Sequence, residues 1–66
     1  MKNNLYVRFV GGGIEFYESD GPIRLITLGD GRILRVICDD GQADLPADYI
    51  DSLHPEGQVI TEEANG

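Results

Sequence analysis

Apolar and polar positions alternate from the start of the chain. In Leu5-Tyr6-Val7-Arg8-Phe9-Val10, the residues Leu5, Val7 and Phe9 fall on one side of an extended segment, and Tyr6, Arg8 and Val10 on the other. A period of two in β-branched and aromatic residues predicts a strand. Gly11-Gly12-Gly13 ends it, and glycines between two strand-like runs predict a turn that uses positive φ. A phosphate-cradling loop would need a helix N-terminus after the glycines. The next residues, Ile14-Glu15-Phe16-Tyr17, are strand-like instead.

Ser19-Asp20-Gly21-Pro22 is a turn by composition. Ile23-Arg24-Leu25-Ile26-Thr27-Leu28 and Arg32-Ile33-Leu34-Arg35-Val36-Ile37-Cys38 read as two strands of a hairpin closed by Gly29-Asp30-Gly31. Both are apolar on both faces, interrupted only by arginines and Thr27, which suits a closed or strongly bent sheet, or a sheet with one face in a homodimer. Leu25, Leu34, Val36 and Ile50 are the expected core. Asp39-Asp40-Gly41 makes the next turn, and Gln42 to Leu45 a short strand. Residues 61–66 are expected to form a loose tail beyond an ordered core of about 4–60.

No run combines helical period with helical length. The pattern predicts one all-β domain over residues 1–66, a small barrel or strongly bent antiparallel sheet of four to six short strands.

The stretch Leu45-Pro46-Ala47-Asp48-Tyr49-Ile50-Asp51-Ser52-Leu53 is a corner. Pro46 fixes φ and removes a donor, and Leu45 before it is pushed to extended geometry. One turn of tight helix at Pro46–Tyr49 then returns Ile50 to the core. Together with the preceding Asp40-Gly41-Gln42-Ala43-Asp44, this stretch resembles the end of a Src-homology-3 domain. That family closes with a glycine-bearing turn, a short strand, a Pro-x-x-Tyr-aliphatic 3₁₀ turn and a last strand. Tyr6-Val7-Arg8, Ile14-Glu15-Phe16 and Ile23 to Thr27 resemble its upstream strands more loosely. The resemblance implies the barrel. It also implies a ligand shelf for a proline-rich peptide, but the chain has no tryptophan, and Arg32-Ile33 stands about where one would begin its strand. The family's long acidic loop is cut to Gly11-Gly12-Gly13. Tyr6, Tyr17, Pro46 and Tyr49 are the residues that could still face a ligand.

Composition changes the picture through charge. Twelve acids face five bases across 66 residues, a formal net charge of −7. Residues 1–38 carry five bases and four acids, a balance of +1; residues 39–66 carry eight acids and no base, a balance of −8. Such a half does not bind nucleic acid directly, since phosphate contacts take lysine and arginine. It attracts basic protein surfaces, or simply keeps a small protein soluble.

Catalytic chemistry is sparse. His54 is expected exposed in a loop, and Cys38 reads as a small buried hydrophobe rather than a nucleophile. One cysteine and one histidine make neither a disulfide nor a Cys/His zinc site. Asp39-Asp40-Gly41-Gln42-Ala43-Asp44 fails the calcium-loop pattern. An enzyme, a metal and a cofactor are not expected. With a lone cysteine and no apolar leader or spanning segment, the chain reads as cytoplasmic and away from membranes.

Two functions follow. In size and charge the chain resembles phage-encoded anti-CRISPR and anti-restriction proteins, which would act in the host bacterial cytoplasm. Duplex phosphates lie about 3.4 Å apart along a strand, close to the rise of a β-residue. Carboxylates on a rigid barrel could therefore occupy the basic sites of a nucleic-acid-binding effector. Asp39, Asp40, Asp44, Asp48 and Asp51, with Tyr49, are the candidate partner-binding residues, because they flank one corner in the half without bases. The alternative is a Src-homology-3-like interaction module or assembly subunit whose acids serve solubility.

Overall fold

A computed structural model describes residues 2–63. It is all-β: β1 (Asn3–Phe9), β2 (Ile14–Ser19), β3 (Ile23–Leu28), β4 (Ile33–Cys38), β5 (Gly41–Pro46), a single 3₁₀ turn (Ala47–Tyr49), β6 (Ile50–Glu56) and β7 (Val59–Glu63). The strands form two sheets, one in the order β2-β1-β6 and one in the order β5-β4-β3-β7. All neighbours are antiparallel except β3 and β7, which run parallel.

Each sheet turns its inner residues to one shared core of Leu5, Val7, Ile23, Leu25, Leu34, Val36 and Leu45. Four strands supply it, and in each the contributors are two residues apart or alone, as the pleat requires. Leu25, Leu34 and Val36 are buried as the sequence predicts. Ile50 is only partly buried and packs against the core rather than within it. It opens β6 opposite Phe9, at the end of both strands, where fewer neighbours cover it.

The expected hairpin is β3–β4. Gly29, Asp30 and Gly31 all take positive φ, at 60°, 57° and 87°. Two glycines flank the one non-glycine residue in that region, and aspartate tolerates it better than most. Arg32, read as the start of β4, belongs to this turn and donates its N–H to the Gly29 carbonyl at 3.1 Å.

Seven strands exceed the four to six expected. The additional one is β7, which holds the Val59-Ile60 pair and extends to Glu63, so residues 61–63 are strand rather than loose tail. Residues 64–66 of the expected tail lie outside the described residues. His54 and Pro55, expected beyond the last strand in a loop, lie inside β6. β6 is an edge strand, where a proline without N–H leaves no ladder bond unmade on the solvent side. Among the described residues no helix is long and apolar enough to cross a membrane.

Candidate functional site

The corner at Pro46–Tyr49 is held by its backbone. The Ala47 N–H donates to the Arg32 carbonyl at 2.8 Å, and the Val10 N–H donates to the Tyr49 carbonyl at 2.7 Å. The Ile50 N–H closes the 3₁₀ turn on the Ala47 carbonyl. The Tyr49 side chain is 65% exposed and contributes little to this fixation. Just beyond, the pairing of β1 with β6 shifts, so that Arg8 opposes Ser52 and Phe9 opposes Ile50. Asp51 is the bulged residue, 3.9 Å from the Arg8 guanidinium across an exposed gap.

The five candidate aspartates do not share this corner. Asp39 and Asp40 lie at the far end of β5 from Asp48 and Asp51, separated by a six-residue strand, or roughly 20 Å at a strand's rise per residue. Nor are they free of bases. Arg35 grips Asp44 with two hydrogen bonds, Nε to Oδ1 at 2.7 Å and a terminal nitrogen to Oδ2 at 3.0 Å. Arg24 does the same to Glu62 at 2.8 and 3.3 Å. Each pair bridges adjacent strands, and the hydrogen-bonded guanidinium holds both carboxyls below their ordinary values. The acidic half of the sequence is thus partly neutralised by arginines of the other half, which sheet pairing brings beside it.

Asp39 has a structural task. Its Oδ2 accepts the N–H groups of Asp20 at 2.9 Å and Gly21 at 3.0 Å, while its own N–H donates to Oγ of the buried Ser19 at 3.0 Å. These bonds clamp the β4–β5 turn to the β2–β3 turn. The Gly21 N–H, foremost, holds the Asp39 carboxyl below its usual range. Among the described residues only Asp40 and Asp48 of the five have neither an ion pair nor a side-chain hydrogen bond.

The four residues considered as a ligand shelf are also dispersed. Tyr17 faces inward against the core, and its hydroxyl donates to the Glu15 carboxylate. Partial burial, first, and that bond push its phenol well above the usual value. Pro46 pairs with Ile33 on the other sheet. Tyr6 lies on the outer face of β2-β1-β6.

Three of the exposed large apolar residues, Tyr6, Ile14 and Phe16, lie on that outer face. Register places Phe16, Tyr6 and His54 in one row across the three strands, with Ile14, Arg8 and Ser52 in the next and Glu18, Asn4 and Glu56 on the other side. The Tyr6 and Phe16 rings stack with centroids 4.8 Å apart and planes tilted by 41°. They are 40% and 49% exposed, and Ile14 is 66% exposed. Sequence reasoning singled out Tyr6 but not Phe16 or Ile14. The β1–β2 hairpin register, with Tyr6 opposite Phe16, was the signal that would have found them.

Ser52 Oγ and His54 Nε2 approach to 2.8 Å on this face. Two residues apart on one strand, they meet simply because they share a side of the pleat. A shallow depression of about 170 Å³ lies between Tyr17, Cys38, Asp40, Gly41, Gln42 and Ala43. The thiol of Cys38, one of the lining residues, is pushed up, by burial first and then by Asp40 and Asp39. Among the described residues no group of three or more His, Cys, Asp or Glu side chains is placed to hold a metal ion. No protein-family model, curated protein or solved structure matches the chain.

Proposed function

We propose that this is a non-enzymatic binding protein that engages a basic surface of a protein partner through the outer face of β2-β1-β6. The observation that carries the reading is the stacked, half-exposed Tyr6–Phe16 pair on an open sheet face of a molecule with net charge −7. Aromatic rings bury much area on binding and attract arginine and lysine through their faces. Glu18 and Glu56 border the rings and complement the same cations. A Src-homology-3-like plan remains part of the proposal. The β3-β4-β5 meander, the 3₁₀ turn after Pro46 and the return of β6 beside β1 support it.

The net charge favours a second reading, in which carboxylates replace nucleic-acid phosphates on a host defence protein, as an inhibitor of the anti-CRISPR or anti-restriction type would. Asp40, Asp48 and Asp51 carry that reading, since Asp39 and Asp44 are engaged within the fold.

Capture from a bacterial lysate, followed by titration of the purified partner at low and high salt, separates the two. The first reading expects a Tyr6→Ser/Phe16→Ser double variant to lose binding while an Asp40/Asp48/Asp51→Asn triple variant retains most of it. The second expects the reverse, with affinity falling steeply as salt screens exposed charges. A partner that binds both folded variants as tightly as the wild type sinks both readings.

A further inference from the structure

The row of rings on the outer face ends in the single histidine of the chain. Register sets His54 of β6 opposite Tyr6 of β1, and Tyr6 opposite Phe16 of β2. Side chains paired in this way stand about 4.5–5.5 Å apart at Cβ. Histidine is the side chain that ordinarily changes charge between about pH 5 and 8. A charge that comes and goes is thus placed beside the Tyr6–Phe16 stack.

β1 is the only neighbour of β6 in the sheet. From β1, Tyr6 faces His54 directly, and Asn4 and Arg8 face it diagonally. From β6 itself, Ser52 and Glu56 share its side of the pleat. The charges nearby are Glu56 in one direction and Arg8 in the other, with Asp51 3.9 Å from Arg8. The hydrogen bond of the ring is to Ser52, whose Oγ lies 2.8 Å from Nε2. A hydroxyl both donates and accepts. Ser52 therefore serves both charge states, donating to a bare Nε2 or accepting from a protonated one.

We propose that His54 is a proton switch on this face. Neutral, it leaves the Tyr6 and Phe16 rings open to a guanidinium or ammonium group of the partner. Protonated, it sets a cation of the protein's own beside Tyr6, which repels that group and competes with it for the ring. The switch rests on the reading that a partner's cation docks on the ring row. A docked cation lies within about 6 Å of a ring centroid, and a protonated His54 stands about as far from it. Two unit charges about 6 Å apart in a water-like dielectric weaken binding about threefold, and more where the partner excludes water. Capture is full above the histidine range and falls as pH drops through it.

A capped tri-arginine peptide is the probe, titrated at about pH 5 and about pH 8. NMR shifts of the Tyr6 and Phe16 ring protons report binding at this face alone. The wild type is expected to bind about threefold more weakly at the lower pH. His54→Gln, at an exposed position, keeps Glu18 and Glu56 and loses the histidine's part of that step. His54→Lys is expected to bind weakly at both pH values. Linkage is reciprocal, so midway through the titration the peptide should drive the His54 ring resonances toward the neutral form, a readout that needs no variant. If the peptide moves neither ring at about pH 8, the reading of the face fails and the switch fails with it. If the peptide binds there, three results each overturn the switch and leave the face its role. These are a wild type without a pH step, a His54→Gln step equal to that of the wild type, and His54 resonances that ignore the peptide.

Discussion

The Gly21 N–H donates to the Asp39 carboxylate at 3.0 Å, and a Cβ at Gly21 would stand 3.0 Å from the other oxygen of that carboxylate. Asp39 belongs to the β4–β5 turn and Gly21 to the β2–β3 turn, so one side chain ties a turn within the β5-β4-β3-β7 sheet to the connection between the two sheets.

This clamp predicts a pH dependence. The folded carboxyl of Asp39 lies below its ordinary value of 3.8, chiefly through the Gly21 N–H; Asp44 and Glu62 are lowered by Arg35 and Arg24. A depressed carboxyl stabilises the fold at neutral pH, and that contribution fades below the ordinary value, as pH falls through the folded one. Thermal melts across the acid range should show this loss for the wild type. Asp39→Asn should melt lower at neutral pH and lose less on acidification. Equal slopes for the two proteins would remove Asp39 from the account.

Leu5 and Leu34 are both buried, one on each sheet. Leu5→Ala and Leu34→Ala should each cost about 2–5 kcal/mol, comparable to the whole stability of so small a domain. Ile50→Ala should cost distinctly less, because Ile50 is only partly buried. Urea denaturation midpoints give the ranking.

Gly57 takes φ 86°, and a Cβ there would lie 2.5 Å from Oδ1 of Asn3. That oxygen accepts the Gln58 N–H at 2.7 Å, while the Asn3 amide nitrogen donates to the Gly21 carbonyl at 2.8 Å. Gly57→Ala should destabilise by about 1–3 kcal/mol from backbone strain alone, with the displaced Asn3 adding to it. Gly11→Ala has open space and no positive φ, and should stay within about 0.5 kcal/mol of the wild type. Chemical denaturation of the pair checks the contrast.

Tyr49 ends the 3₁₀ turn of the corner. Its ring is exposed, and its carbonyl is what the Val10 N–H uses. Tyr49→Ala should therefore leave the melting temperature nearly unchanged, within about 0.5 kcal/mol. A large drop would show that the ring itself holds the corner.

What the sequence determined by itself is local. The period of two in Leu5–Val10 fixed which side of β1 is buried, because side chains alternate across a strand whatever it pairs with. Gly29-Asp30-Gly31 announced its hairpin through residues that accept positive φ. Pro46 announced the 3₁₀ corner by constraining its own φ and its predecessor. The tertiary structure decided everything that depends on which strands lie side by side. Arg24 and Glu62 are 38 residues apart, and Arg35 and Asp44 nine, so a charge count along the chain placed acids in an unopposed half that pairing then partly neutralised. β7 has only Val59-Ile60 as an apolar signal, and it becomes a strand because the edge of β3 offers it a parallel partner. The Tyr6–Phe16 stack follows from the hairpin register. Each of these is a cross-strand relation, and its energy comes from neighbours that only the assembled sheets supply.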